Sequence, residues 1–516
     1  MEYHIDDLPD ELLEYILNLI PPYRCLKECM VVCKRWSLAV KRVMEHKQSY
    51  FHRSVAFGSL EWNTIISEPG PPTVISERFS HSACTYENSM YVFGGCTKTC
   101  TTFNDLWMLD LDTRKWDRPL ARGNYPSPKA CASMVYYNHT FILFGGWSHP
   151  SAYPPYQRRR LFDELHVYCL KTNRWSVIDT LDGPPPTSAH SASIHGNLMV
   201  IFGGISNDYN SSNDIWCLNV DHYYWYKPVV SDLKPPSRYG HSQIHLTDKH
   251  ILIFGGCTGP SAVMNDVWLL TMEDPIWTWT RVNMLGANWA PTKIWCHQVC
   301  KVGNYVVVLS DNKESTKQGE VVPKEVNRSQ LLPPPRRRQA VEEKIDKDEN
   351  VNGRHGKLMG RRIHVRSASP NGSIYSGAQP LELKSFAPIA VPDIEEKRRQ
   401  ANRVRQLESL RRMQERIQNQ RTQQRLVRKK SDKLGIFVLD ITRILDQSSA
   451  TWIFHSQNKC SGPEGRILYS LVLGKSELIV FGGIRKVITT IQGETDEDIS
   501  EVYNDVHFIK PPRYIF

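Results

Sequence analysis

The apolar positions of this chain fall into two regimes. Over the first 55 residues they recur at helical spacing. Leu8, Leu12, Leu13, Ile16 and Leu17 form one stripe, and Val40, Val43 and Met44 lead on toward Phe51 and Val55. From about Glu61 onward they come instead in short alternating runs of strand length. The clearest run is Met90-Tyr-Val-Phe-Gly-Gly95, followed by Asn104-Asp-Leu-Trp-Met-Leu-Asp110 and then Trp116. An apolar strand ends in a glycine pair. A loop, an Asn-Asp step, a second strand and a tryptophan follow. The pair recurs as Gly94-Gly95, Gly145-Gly146, Gly203-Gly204, Gly255-Gly256 and Gly482-Gly483, with spacings of 51, 58 and 52 residues over the first four. A period near 50 built from short strands predicts four-stranded blades arranged around an axis.

Six such blades can be counted. The first four carry their tryptophans at Trp116, Trp175, Trp225, and Trp277 or Trp279. In the fifth, Trp295-Cys-His297 and Tyr305-Val-Val-Val-Leu309 read as the first two strands, and Ser310 stands where the glycine pair belongs. Its second half resumes at Ile436–Ile441 and Trp452, after a long insertion. The sixth has Leu478–Phe481 and Asn504-Asp-Val-His-Phe508, with no tryptophan after it. Residues 61–67, which include Trp62, read as the strand that completes blade six and closes the circle. Closure removes the open sheet edges that invite aggregation. The repeated glycines, tryptophans, Asn-Asp steps and Arg/His positions (Arg78 with His81, Arg238 with His241) read as blade architecture. The pattern resembles the kelch family of β-propellers.

The N-terminal 50 residues contain no repeat. Asp7-Leu-Pro-Asp-Glu-Leu-Leu13 opens a helix, with proline and acidic residues at its start. Pro21-Pro22 ends it, and a second helix carries Cys25, Leu26, Cys29, Val32, Cys33 and Trp36. The cysteine spacing raises metal binding. On an apolar helix face, however, free cysteine acts as a small hydrophobe, and no metal or other cofactor is expected. Leu-Pro-x-Glu-Leu-Leu at 8–13 with Val-Cys-x-x-Trp at 32–36 resembles the F-box, a helical module that docks on the Skp adaptor of cullin–RING ubiquitin ligases. The resemblance implies that Leu8, Pro9, Leu12, Leu13, Ile16, Val32 and Trp36 contact the adaptor or pack the module. Residues 51–60 read as a helical linker that holds the module at a fixed distance from the propeller.

Composition refines this layout. The 516 residues carry a net charge of +10. The segment 393–430 alone holds 13 Lys/Arg against 5 Asp/Glu, so the folded body is not expected to bind nucleic acid. The insertion, 311–434, is polar and expected to be largely disordered up to residue 392. Its 393–430 segment reads as a long Arg-rich helix, the one place where nuclear import or RNA contact would be sought. No apolar run reaches membrane-spanning length, and the acidic N-terminus lacks the layout of a signal peptide. Cytosol or nucleus is the expected location, with the 13 cysteines reduced.

Enzyme signatures fail. Gly474-Lys-Ser476 looks like the end of a phosphate-binding loop, but Tyr469 sits where that loop needs its first glycine. No zinc-protease, nucleophile-elbow or paired-cysteine zinc pattern is present. The whole is similar to the F-box/kelch family of ubiquitin-ligase substrate receptors. That resemblance implies a non-catalytic adaptor that binds Skp and cullin through the module and a protein to be degraded through the propeller. A kelch scaffold outside any ligase, or a kelch-fold metalloenzyme, are the alternatives. For target contacts the loop Trp147–Leu161 stands out as the longest regular one between second and third strands. It holds Tyr153, Tyr156 and Arg158-Arg-Arg160, residue types enriched at interfaces.

Overall fold

Six first strands stand around one axis in the computed structural model: Ser82–Tyr86, Ser133–Tyr137, Ser191–His195, Ser242–Thr247, Val299–Val302 and Ser470–Leu473. Each packs beside the next, and the sixth packs beside the first. The structure describes residues 5–65, 75–149, 159–206, 210–259, 262–292, 294–312, 433–453, 462–491 and 494–512. All of these belong to one compact unit. The insertion's polar stretch and the segment 393–430, expected to be an Arg-rich helix, fall outside the described residues.

The glycine pairs stitch neighbouring blades together. The N–H of Gly146 donates to the carbonyl of Thr187 in the next blade at 2.9 Å. Gly145, at φ +70°, lies so close that a Cβ there would meet that carbonyl oxygen at 2.7 Å and the His190 ring at 2.8 Å. Only glycine fits such an approach. The other four pairs make the equivalent bonds, Gly95 to Lys129, Gly204 to Arg238, Gly256 to Ile294 and Gly483 to Arg78.

The tryptophans occupy one register position on every outer strand. Trp116 lies opposite Leu109, Trp175 opposite Tyr168, Trp225 opposite Leu218, Trp279 opposite Leu270 and Trp452 opposite Leu439. Trp279 is therefore the tryptophan of blade four. Trp62 sits opposite Ile509 and completes the series, because Glu61–Ile65 pairs antiparallel with Val506–Lys510 as the outer strand of blade six. Four of these rings wedge against a phenylalanine of the preceding blade: Trp116 on Phe481, Trp175 on Phe93, Trp225 on Phe144 and Trp279 on Phe202, with centroids 4.9–5.3 Å apart.

Buried ion pairs fix the entry to several blades. Arg78 is wholly buried. It donates to Asp105 at 2.7 Å and to the Gly94 carbonyl at 2.9 Å. Arg238 repeats the arrangement with Asp266 and Gly255, and Arg466 with Asp505 and Gly482. Lys129 with Glu164 is the variant in blade two. Burial alone would raise the Asp105 carboxyl, but the Arg78 hydrogen bonds and charge outweigh it and hold the carboxyl below its usual value.

A collar of backbone hydrogen bonds closes the inner circle. The N–H of Cys131 donates to Ser80, Ala189 to Cys131, Gly240 to Ala189, Cys296 to Gly240, Leu468 to Cys296 and Ser80 to Leu468, all at 2.8–3.0 Å. Each of the six has a left-handed backbone, with φ between 52° and 62°. Five of them are not glycine, a strain of order 1 kcal/mol each that the closed circle sustains.

Two blades depart from the expected strands. Trp295–His297 is not the first strand of blade five. It forms the bend before that strand, and His297 takes the place that His81 holds in blade one, so the true strand is Val299–Val302. Where Ser310 replaces the glycine pair, the ladder does not stop. It runs on through Ser310–Gly435, Asp311–Leu434 and Asn312–Lys433, so the strands reach two residues into each end of the expected insertion. Blade six carries a hairpin, Ile484–Ile491 with Glu494–Val502, between its second and third strands. That connection is longer than Trp147–Leu161, the one singled out from sequence.

The helical module differs from expectation in its second helix. Helix α1 spans Asp10–Asn18 with Pro9 at its N-cap, α2 is only Arg24–Glu28, and α3 runs unbroken from Lys34 to Phe57. A 3₁₀ turn at Cys29–Val31 separates α2 from α3. The expected linker is thus mostly the last turns of α3, ended by Gly58 at φ 65°. Cys25 and Cys33 are exposed and do not lie on a buried apolar face.

Candidate functional site

Within α1 the apolar stripe divides. Leu13 and Leu17 are buried against Leu26, Ala39, Val40 and Val43, which form the module's core. Leu12 and Ile16 point away from that core and are 50% and 40% exposed. Leu19, Val31, Val32 and Leu38 are also exposed, Val31 by 86%. Arg35 brings the starts of α1 and α3 together by donating to Asp10 at 2.8 Å and to the Leu8 carbonyl. That contact places Leu8, Pro9 and Leu12 at the same end of the module as Val32 and Trp36. Trp36 is half-buried against the core, Leu8 is half-buried, and Pro9 and Val32 are exposed. That is a large number of exposed apolar side chains for about 40 residues. Leu13 packs the module, and Leu12 and Ile16 face outward.

The module sits on a defined face of the propeller. Phe51 and Val55 of α3 are buried among Cys300, Val302, Leu471, Leu478 and Ile509 of blades five and six. The Arg24 N–H donates to Asp112 at 2.7 Å, the Tyr50 hydroxyl donates to the Pro512 carbonyl at 3.2 Å, and a side chain at Gly303 would touch His52. Asp112, Gly303 and Pro512 all lie at the end of the blades where strand one turns into two and three into four. In an antiparallel meander the connections from strand two to three leave from the other end. The collar and the variable loops therefore share the face opposite the module.

On that face the expected target loop is placed only in part. Tyr153, Tyr156 and Arg158 lie outside the described residues. Arg160-Leu161 pairs with Trp147-Ser148, making the base of a hairpin. The Arg159 guanidinium stacks 4.1 Å over the Trp147 ring and donates to Ser188 Oγ at 3.3 Å. Ser188 adjoins Ala189 of the collar, so Arg159 leans inward, while Arg160 is exposed.

The joints between blades are lined by buried polar side chains. His81, His190 and His241 hydrogen-bond with Ser470, Ser133 and Ser191 of the preceding blade at 2.9, 2.9 and 2.6 Å. Burial pushes their imidazoles down to about 3, 4 and 3, with the Arg78 charge adding to the effect at His81 and Arg238 at His241. These histidines are neutral joints between blades. Among the described residues no group of three or more His, Cys, Asp or Glu side chains is placed to hold a metal ion, and no helix is long and apolar enough to cross a membrane.

Comparison with known proteins agrees with this geometry. Residues 5–44 match the F-box-like domain, and residues 78–279 match the family described as FBX42, beta-propeller domain. Kelch domain-containing protein 3 of Bos taurus is 25% identical over 260 residues, 48% of this chain and 64% of that protein. Host cell factor 1 of Rattus norvegicus is 26% identical over 291 residues, covering 50% of this chain and 13% of its own length. The chain thus spans less than two thirds of its curated kelch relative. An F-box-like domain ahead of a kelch-type propeller fits a non-catalytic adaptor. The insertion in blade five, the Trp295-Cys-His297 segment and the closing Asn504-Asp505 repeat resemble F-box only protein 42, and the propeller match over residues 78–279 agrees with that likeness. The chain thus carries an F-box-like domain followed by a kelch-type propeller that matches the FBX42 beta-propeller family.

Proposed function

We propose that this protein is the substrate-recognition subunit of a Skp–cullin–RING ubiquitin ligase. The outward apolar face of the module, with Leu8, Pro9, Leu12, Ile16, Val32 and Trp36, docks on the Skp adaptor and through it on cullin. Leu13 supports that face from beneath. The propeller holds the protein to be degraded on the opposite face, where Arg159 and Arg160 stand at the base of the loop that also carries Tyr153, Tyr156 and Arg158. The chain supplies no chemistry of its own and works in the cytosol or nucleus.

One observation carries the reading: an unpartnered apolar face on a small module that is packed against the back of a closed propeller, away from its variable loops. Burying about 800 Å² of such a face is enough for a stable complex. Capture of the full chain from cells, with and without a proteasome inhibitor, tests it. Skp and cullin are recovered in both conditions, and the target is enriched with the inhibitor. If the chain brings down partners but never cullin, it is a kelch scaffold and not a ligase subunit. Changing Arg159 and Arg160 together to Glu should lower recovery of an acidic target and leave cullin recovery unchanged.

A further inference from the structure

The turn Gly474–Glu477, whose Gly-Lys-Ser step imitates a nucleotide loop, has a different task. It joins the first two strands of blade six, closed by the Gly474 N–H donating to the Glu477 carbonyl at 2.9 Å. Tyr23, from the connection between α1 and α2, is inserted into it and is wholly buried. Its hydroxyl pairs with the Glu477 carboxylate and accepts from the Lys475 N–H at 3.2 Å. The Glu477 side chain is 3% exposed and holds two cations besides: Arg114 as a two-pronged pair at 2.8 and 3.0 Å, and Lys510 at 3.3 Å. Arg114 in turn stacks 3.9 Å over Phe508. A Cβ on Gly474 would lie 2.6 Å from the Tyr23 hydroxyl, so glycine leaves the room Tyr23 occupies.

We propose that Tyr23 is a positioning residue, the pin that fixes the orientation of the helical module on the propeller. Helix α3 has 24 residues. It is about 36 Å long at 1.5 Å per residue. It is anchored to the propeller near one end, through Phe51 and Val55. An attachment at one end of a rod leaves it free to swing. Tyr23 is the buried part of a second attachment, from a different element and onto the border of blades six and one, beside the single backbone bond from Arg24 to Asp112. Two separated attachments remove the swing. The socket is also built to survive without its occupant, since Glu477 keeps Arg114 and Lys510 when Tyr23 is absent. The Tyr23 ring also packs in the core between blades six and one, beside Ile75, Ile479 and Phe508, so it ties the module to the propeller by packing as well as by its hydroxyl. The consequence for ubiquitin transfer rests on the ligase reading above: a fixed module sets the span between the docked adaptor and the bound target.

The test uses the full chain alone, with spin labels introduced bio-orthogonally at the exposed positions Glu11 on α1 and Asn124 on the propeller. Pulsed dipolar spectroscopy reads the width of the distance distribution. Tyr23→Ala should broaden it at least twofold. Tyr23→Phe, which keeps the ring and loses the hydroxyl, should broaden it less. Gly474→Val fills the socket from the propeller side and leaves the module's sequence intact; it should reproduce the broadening with an unchanged propeller melting temperature. A distribution as narrow as wild type in both Tyr23→Ala and Gly474→Val overturns the proposal. Adaptor binding by the unlabelled wild type, measured alongside, separates the two ideas. If the adaptor does not bind, the ligase reading fails, while the pin is judged by the widths alone.

Discussion

Leu12 and Leu13 are neighbours on one helix, yet Leu13 is sealed in the module's core and Leu12 is half in water. No such division occurs along the second strands of blades two and four. In Phe141–Phe144 and Ile251–Phe254 every side chain is buried, because each blade is covered on both faces by its neighbours. The propeller satisfies its apolar surface by closing on itself: six tryptophans in one register, a backbone collar, and a final strand borrowed from residues 61–65. The helical module, with too few residues to enclose its own apolar side chains, leaves several of them exposed. The electrostatics divide the same way. Arg238–Asp266 is buried and hydrogen-bonded on all sides, whereas Arg42–Glu14 in the module lies at the surface. A closed body tolerates variation in its loops and suits a recognition platform. An open module suits docking.

The sharpest way to break this comparison is to open the propeller. Deleting residues 1–66 removes the outer strand of blade six together with Trp62, and the product should aggregate or lack a cooperative melt. Deleting residues 1–45 keeps Phe51, Val55 and the closing strand, and its melting temperature should stay within about 5 °C of the full chain. Equal behaviour of the two truncations would mean that closure is not what holds the propeller.

A smaller effect separates the two kinds of ion pair. Arg238→Ala strands a buried aspartate and should cost about 3–5 kcal/mol by denaturant titration. Arg42→Ala in the module should fall within the error of the same titration. Comparable losses would show that the module's pairs are as structural as those of the propeller.

The smallest effect is in pH. The buried histidines keep pKa values near 3 to 4 in the folded chain, against about 6.5 unfolded. The unfolded chain therefore binds more protons across that window, so stability is complete above about pH 6.5 and declines as the pH falls toward 4. His190→Gln removes one such group and should reduce the loss between pH 7 and 5.5 by about 1 kcal/mol. An unchanged slope of melting temperature against pH would remove His190 from the account.

Much of the propeller was legible in the sequence because its joints need particular residue types. Glycine pairs and tryptophans recur for steric reasons, and Trp62 could be assigned to blade six because blade six lacked its own. The collar was not legible. It is made of backbone, and Ser80, Cys131, Ala189, Gly240, Cys296 and Leu468 share no side-chain chemistry. The strand of blade five was misplaced by a few residues because Trp295-Cys-His297 has the apolar and aromatic content of a strand, while its real role is to follow the pattern Phe79-Ser-His81. In the module, helical spacing found the stripe on α1. It could not divide Leu12 from Leu13, since adjacent positions on a helix are 100° apart and both fit one broad stripe. Only the placement of α3 decides which of them is covered. The Tyr23 socket joins residues 454 positions apart, and no local pattern announces it.

The division between a closed propeller and an open module is tested most directly by titrating purified Skp adaptor into the full chain and measuring the heat of binding. The wild type should bind. Leu12→Asp with Ile16→Asp should bind at least ~100-fold more weakly, the equivalent of about 2.7 kcal/mol, with an unchanged melting temperature. Leu13→Asp should instead unfold the module. A wild-type chain that gives no heat, or a double variant that binds as the wild type does, would contradict the account.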